Sequence, residues 1–331
     1  MEEIKRLNEM TGINKSRLVS QLGISRQRYY DWENRYGKPN EHNKCIPKGH
    51  WLTPEEEEAI VRYYVEHYNE LDGYRRMCYK MIDEDVVYAT PSSVYRVLRR
   101  RGLLKKRDEV KVKENKKGMG YKQPSKVNEE WHTDIKYVNV MGKHLFLISV
   151  LDGYSRYVVS YELRGSMEDR DVELVIEKGL NKYPDAKPRI ISDNGSQYKS
   201  KEYREYIKAV GLRHTYTSVC YPQSNGKIER YHRAIKEECI EKESMVSIED
   251  ARRVIDRYVD YYNTKRLHSA LGYVTPKDVM EGRKEEIIKR REEKLRLGRQ
   301  KRIEYYNKTN LTEKSNLSNL RWSITNCYKS G

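Results

Sequence analysis

RIISDNGSQY, residues 189–198, runs a short apolar stretch straight into an aspartate. Ile190 and Ile191 favour a strand, whereas Asp193-Asn194-Gly195 is a tight-turn signal that ends it. A carboxylate is thereby fixed at the end of a buried strand, in a chain whose formal charge is +16. Taken alone, Asp193 is either a turn residue or a metal ligand. Asn194 and Gly195 supply the close turn that exposes it, and the surrounding elements must decide its role.

Upstream, WHTDIKYVNV (131–140) alternates as a strand, and HLFLISVLD (144–152) is apolar throughout, as a central strand would be. RYVVSYEL (156–163) makes a third strand, with Gly142 and Asp152-Gly153 marking the two hairpins. A helix over 167–182 precedes the 189–193 strand. A helix over 201–210, a short strand over 212–217 and helices over 225–243 and 248–266 follow. Three antiparallel strands and then αβαβα predict an α/β unit with a mixed sheet.

Two further carboxylates lie in informative places. Asp134 sits mid-strand in WHTDIKYV and shares a face with His132 and Lys136; by itself that is compatible with a solvated strand face. Glu229 opens the helix NGKIERYHRAIKEECI, in which Ile228, Tyr231, Ile235 and Cys239 recur as a core stripe. Glu229, Arg233 and Lys236 recur at i, i+4 and i+7 on another face. They form either a surface ion-pair ladder, worth a few tenths of a kcal/mol per pair, or a metal ligand beside two phosphate-binding cations.

The N-terminal part reads as helical. Residues 15–22 and a second helix capped by Ser25 and running to about 35 make a helix-turn-helix pattern over 1–37, with Gly23-Ile24 as the turn. The second helix opens with Arg26, Gln27 and Arg28, donors suited to base edges and phosphates. A second such unit is expected over 50–104. Thr53-Pro54-Glu55-Glu56 is a helix start with N-cap, N1 proline and N3 glutamate, a middle helix covers about 74–82, and a third opens at Thr90-Pro91 and ends in Arg99, Arg100 and Arg101. His42, Cys45 and His50 lack a fourth ligand at finger spacing, so no zinc site is expected there.

Charge is concentrated. Residues 99–117 hold 10 Lys/Arg against 3 acids, and 282–331 hold 14 against 6. A solvated surface would spread its charge, so the partner is a polyanion, most simply nucleic acid. The five cysteines form no CxxC pair, which fits a reducing compartment rather than a disulfide framework. No stretch has signal-peptide character or transmembrane length, so a cytoplasmic, nucleoid-associated protein with no membrane partner is expected. Residues 105–126 read as a basic linker, 127–280 as the α/β core and 281–331 as a basic helical tail whose final Asn-, Ser- and Thr-rich 20 residues are expected to be loosely ordered.

Together, Asp134 in WHTDIKYV, Asp193 in SDNGSQY and Glu229 in YPQSNGKIERYHRAIKEE resemble the catalytic set of the DDE transposases and retroviral-type integrases. The 35 residues between Asp193 and Glu229 match that family's spacing, and Lys236 stands where the family carries a basic residue. LDGYSRYVV and YVDYYNTKRLHSALGYVTP are similar to its bacterial insertion-sequence branch. The resemblance implies an RNase H-like fold, a five-stranded mixed sheet flanked by helices, in which the first and fourth strands lie side by side at the sheet centre. It implies that Asp134, Asp193 and Glu229 hold two Mg²⁺ ions, with Mn²⁺ as a substitute. It also implies cleavage of double-stranded DNA at terminal inverted repeats and strand transfer into a target by a dimer or larger assembly. Lys236 and Arg233 would then hold phosphates, Gln223, Ser224, Asn225 and Gly226 would form a loop near the DNA, and His268 would pack. The alternative is a DNA-binding regulator whose integrase-like core is inert.

Overall fold

The computed structural model describes residues 2–36, 51–67, 73–104, 123–217 and 225–327, with side chains described through Thr309. The chain divides into two compact units, Met1–Trp51 with Arg302–Gly331, and Leu52–Lys301. In the first, helices α1 (Glu2–Thr11), α2 (Lys15–Gln21) and α3 (Arg26–Arg35) close around Ile4, Leu18, Val19 and Tyr29. Asn14 caps α2 and Ser25 caps α3, each through its side-chain oxygen. α1 has no counterpart in the reading of the sequence. The histidines and cysteine weighed for zinc, His42, Cys45 and His50, lie outside the described residues.

The second unit begins with α4 (Pro54–Glu66), α5 (Tyr74–Asp83) and α6 (Pro91–Arg100). Thr53 and Glu56 form the expected reciprocal capping box, and Thr90 caps α6. Ile60, Met77, Met81, Ile82, Val94 and Leu98 are fully buried between the three helices.

A five-stranded sheet follows, ordered β3-β2-β1-β4-β5. β1 (Glu130–Val140), β2 (Lys143–Asp152) and β3 (Val158–Arg164) are an antiparallel meander; β4 (Arg189–Ser192) and β5 (Arg213–Tyr216) are parallel to β1. The first and fourth strands are thus neighbours at the centre, as the RNase H-like fold requires. Met141 (φ 50°) and Gly142 (φ 78°) make the two-residue β1–β2 turn, whose two positive φ values mark the type that matches strand twist.

Strand alternation sends side chains into two cores. Trp131, Ile148, Val150 and Ile190 pack under α7 (Asp169–Lys182), α8 (Ser196–Lys199) and α9 (Lys201–Ala209). Val138, Leu145, Leu147 and Leu151 pack on the opposite side, under α10 (Gly226–Ile235) and α11 (Ile248–Thr264). Between those two helices, residues Lys236–Ile240 form a π-helical turn where one continuous helix was expected. A 3₁₀ turn (Ser269–Leu271), α12 (Pro276–Met280) and α13 (Lys284–Cys327) complete the chain. The backbone of α13 is helical to Cys327. No proline or glycine stands between Arg299 and Cys327, and an anchored helix propagates at the cost of one residue per bond gained.

Candidate active site

The β1–β4 ladder pairs Glu130 with Arg189, Trp131 with Ile190 and His132 with Ile191. Carried two residues further, the same register brings Asp134 abreast of Asp193. Asp134 still pairs with Ser149 on β2, whereas β4 has ended at Ser192, so Asp193 stands where the fourth strand turns away. Its Oδ1 accepts the Gly195 N–H at 3.0 Å, and Asn194 Nδ2 donates to the Thr217 carbonyl at 2.7 Å. Asp193 is therefore a turn residue by its local bonds, and the turn leaves its carboxylate half-exposed.

Tyr198 is buried beneath the two strand ends. Its hydroxyl shares a hydrogen bond with Thr133 Oγ1 at 3.3 Å. Burial chiefly pushes that phenol well above its ordinary value, and the charges of Asp134 and Asp193 push in the same direction. Both aspartates thus lie within electrostatic reach of one tyrosine.

α10 crosses β1 at Asp134. Ile228, Tyr231 and Ile235 anchor it in the core, as the stripe predicted. Glu229, Arg233 and Lys236 are exposed, on the face that the spacing gave them, and Lys236 pairs with Glu241 at 3.3 Å. His232, one turn after Glu229, is buried and places Nδ1 3.3 Å from Asp134 Oδ2. Asp134 Oδ1 accepts the Ile135 N–H at 2.9 Å, so both oxygens are engaged. His232 was missed in the sequence although it falls within the Ile228–Tyr231–Ile235 stripe, four residues after Ile228. A histidine on an apolar stripe is the signal that could have found it.

The same face of β1 carries His132, fully buried, with neither ring nitrogen hydrogen-bonded. Burial lowers its pKa to about 3, helped by the cations Lys227, Arg156 and Arg189. Lys227, in the first turn of α10, is itself lowered to about 8 by burial and by Arg156. His132 and Lys227 thus belong to one buried group with Arg156 and Arg189.

Among the described residues, no three acidic, histidine or cysteine side chains converge closely enough to hold a metal ion. The structure pairs the two strands that lead to the aspartates and brings the glutamate's helix onto Asp134, but it does not close the three into one ligand set. Their all-oxygen chemistry fits a hard divalent cation. The loop residues Gln223 and Ser224 lie outside the described residues; Asn225 is buried at the start of α10 and Gly226 is half-buried. His268, as expected, packs: its ring lies edge-on to Tyr262 at 6.5 Å.

The other basic residues singled out are on separate elements. Arg26, Gln27 and Arg28 are exposed in the first turn of α3, with the Arg28 guanidinium 5.8 Å from the Trp32 ring. Arg99, Arg100 and Arg101 are exposed at the end of α6, where Arg100 pairs with Glu57. A cleft of about 1080 Å³ opens at the opposite pole of the sheet, between the N-terminal ends of β1, β4 and β5, and is lined by Glu130, Arg189 and Arg213 among others. It contains none of the three carboxylates.

Residues 124–222 match an integrase core domain family, and residues 210–276 match a second integrase core domain family. The chain is similar to the transposase for insertion sequence element IS904 of Lactococcus lactis, at 27% identity over 60% of this chain and 83% of that one. It is similar also to the transposase for insertion sequence element IS629 of Shigella sonnei, at 24% identity over 83% of this chain and 94% of that one. Among solved structures, the HTLV-2 integrase catalytic core domain in complex with magnesium aligns at 16% identity and a TM-score of 0.37, over 47% of this chain and 98% of that one.

Proposed function

We propose, from the match of residues 124–276 to integrase core domain families and the similarity to insertion-sequence transposases, that the chain cuts and joins DNA at the ends of a mobile element. Its substrate is the double-stranded terminal inverted repeat, and its second substrate is target DNA. The observation that supports this reading is the parallel pairing of β1 with β4, which carries Asp134 on one strand and Asp193 just past the end of the other, with His232 of α10 3.3 Å from Asp134.

In this reading Asp134, Asp193 and Glu229 hold divalent cations, two Mg²⁺ with Mn²⁺ as a substitute. When bound, such ions favour in-line attack by water or a DNA 3′-hydroxyl on the scissile phosphate and stabilise the leaving 3′ oxygen. The remaining work falls to the chain. His232 orients Asp134, and the Asn194-Gly195 turn presents Asp193. Arg233 and Lys236, exposed on the Glu229 face, neutralise phosphate oxygens beside the cut. Arg26, Gln27 and Arg28 on α3 and Arg99, Arg100 and Arg101 beyond α6 grip duplex DNA, so residues 1–37 and 50–104 serve as DNA-binding units, with 105–126 as linker, 127–280 as catalytic core and 281–331 as tail. Two ends must be processed together, so the protein acts as a dimer or larger assembly on DNA. Among the described residues no helix is long and apolar enough to cross a membrane, and action at the nucleoid in the cytoplasm follows from the substrate.

A second reading has one observation in its favour: the three carboxylates are not gathered into a closed cluster. It makes the protein a DNA-binding regulator with an inert core. Incubating the full chain with a labelled element end in Mg²⁺, Mn²⁺ or EDTA separates the two. The transposase nicks the end only with metal, whereas the regulator binds it and cuts under no condition.

A further inference from the structure

α5 has two working faces. Met77, Cys78, Met81 and Ile82 build the core of the α4–α6 bundle. Arg76, Tyr79 and Asp83, at i, i+3 and i+7, form a second face that meets the catalytic part of the same compact unit. Tyr79 stacks on Tyr273 at 4.6 Å and 18°. Asp83 takes two N–H bonds from Arg291 of α13, at 2.8 and 2.6 Å, and the Arg291 guanidinium lies 5.0 Å from the Tyr79 ring. Arg76 reaches further: its Nη1 is 3.8 Å from Glu238 Oε1.

Glu238 lies in the π-helical turn that continues α10, nine residues after Glu229. It accepts two bonds from Arg266, at 2.7 and 2.5 Å, and one from the Tyr258 hydroxyl at 3.0 Å. A π turn is wider than an α turn and persists where outside contacts hold it, often next to a functional site. Here the holding contacts centre on one carboxylate that is mostly screened from water, with 17% of its side chain accessible. Meanwhile α6, packed against α5, leaves Tyr95, Arg96 and Arg99 exposed on its outer face, a set of donors suited to phosphates and bases.

We propose that Arg76 is a positioning residue for the reaction, tying the DNA-gripping α4–α6 bundle through Glu238 to the helix that carries Glu229. DNA held on α6 then sets the placement of Glu229 relative to the strand ends. This inference rests on the reading of the protein as a transposase. Of the three residues on this face of α5, Arg76 is the one whose partner lies on the extension of α10; Tyr79 and Asp83 dock the bundle against α13 and the turn at Gly272. Removing Arg76 leaves Glu238 satisfied by Arg266 and Tyr258, so the core stays folded.

The test compares wild type, Arg76→Met and Arg76→Lys as full chains. End cleavage in Mg²⁺, nicking of an unrelated supercoiled plasmid in Mn²⁺, end binding in EDTA and melting temperature are measured in parallel. Arg76→Met is expected to melt and to bind the end like wild type, to nick unrelated plasmid at the wild-type rate, and to cleave the end about tenfold more slowly, within the usual range of coupling between sites. Arg76→Lys recovers most of that loss. End cleavage by Arg76→Met at the wild-type rate overturns the proposal, and so does a parallel fall in both activities, which marks a merely structural role. Should Arg76→Met fail to fold, Glu238→Gln must show the same split. A wild-type protein that cleaves no DNA overturns the transposase reading itself, which separates that failure from this one.

Discussion

At the scale of single residues, the account turns on what holds Asp134. Its Oδ1 is engaged by the Ile135 N–H and its Oδ2 lies 3.3 Å from His232, so its carboxylate is held from both sides. His232→Ala removes a buried ring and one of those partners. It should cost about 1–3 kcal/mol in a urea titration and slow end cleavage at least tenfold, while His232→Asn, which can still donate, should lose less of both. Equal cleavage by wild type and the alanine variant would remove His232 from the mechanism. The strand and the turn that place the two aspartates were legible in the sequence, from the alternation of WHTDIKYV and the turn signal at Asp193-Asn194-Gly195, whereas their reading as ligands came only from the resemblance. His232 was not, because a polar residue on an apolar helix stripe is read as packing until its partner on a neighbouring strand is seen.

At the scale of elements, capping and periodicity placed most helices and strands, since Thr53, Thr90 and Ser25 announce their helices chemically. The π turn at Lys236–Ile240 was illegible for a physical reason. No local code prescribes it, and it depends on Arg266 and Tyr258 meeting Glu238 from distant positions. α8 escaped notice because four residues carry too little pattern. α7 offers a contest between local and tertiary terms. Alanine at Gly179 gains roughly 1 kcal/mol in helix propensity. Its Cβ would nonetheless meet Trp131 Cζ3 at 3.0 Å and Val159 Cγ1 at 3.1 Å, both side chains buried in the sheet. Overpacking of that kind costs about 1–3 kcal/mol, so Gly179→Ala should lower the urea midpoint; a raised midpoint would show that the α7–sheet packing is looser than described.

At the scale of the whole molecule, charge governs two further expectations. The basic tail is not simply free for DNA: Arg291 is spent on Asp83, and Lys294 on the Ile82 and Asp83 carbonyls. The cations that remain exposed should still make end binding fall steeply and log-linearly with salt, and a flat salt response in a filter-binding series would contradict a phosphate-gripping surface. Acid should destabilise the fold through His268 and His214, in addition to the buried His132. Burial lowers His268 to about 3, with Arg266 nearby adding to the effect, and burial lowers His214 to about 4. Because these folded values lie below the ordinary 6.5, the neutral forms stabilise the fold above pH 6.5, and that stability is lost as pH falls toward 3–4. The slope approaches about 1.4 kcal/mol per pH unit for His268 and less for the half-buried His214. Unfolding midpoints between pH 7 and 5 should therefore drop, and should drop less in His268→Gln. The central claim is tested most directly by strand cleavage of a labelled element end in Mg²⁺, comparing the wild type with Asp134→Asn, Asp193→Asn and Glu229→Gln. Nicking by the wild type that EDTA abolishes and that all three variants lose, with end binding retained, is the expected result. Undiminished cleavage by any one of the three, or tight binding without cleavage by the wild type, would contradict it.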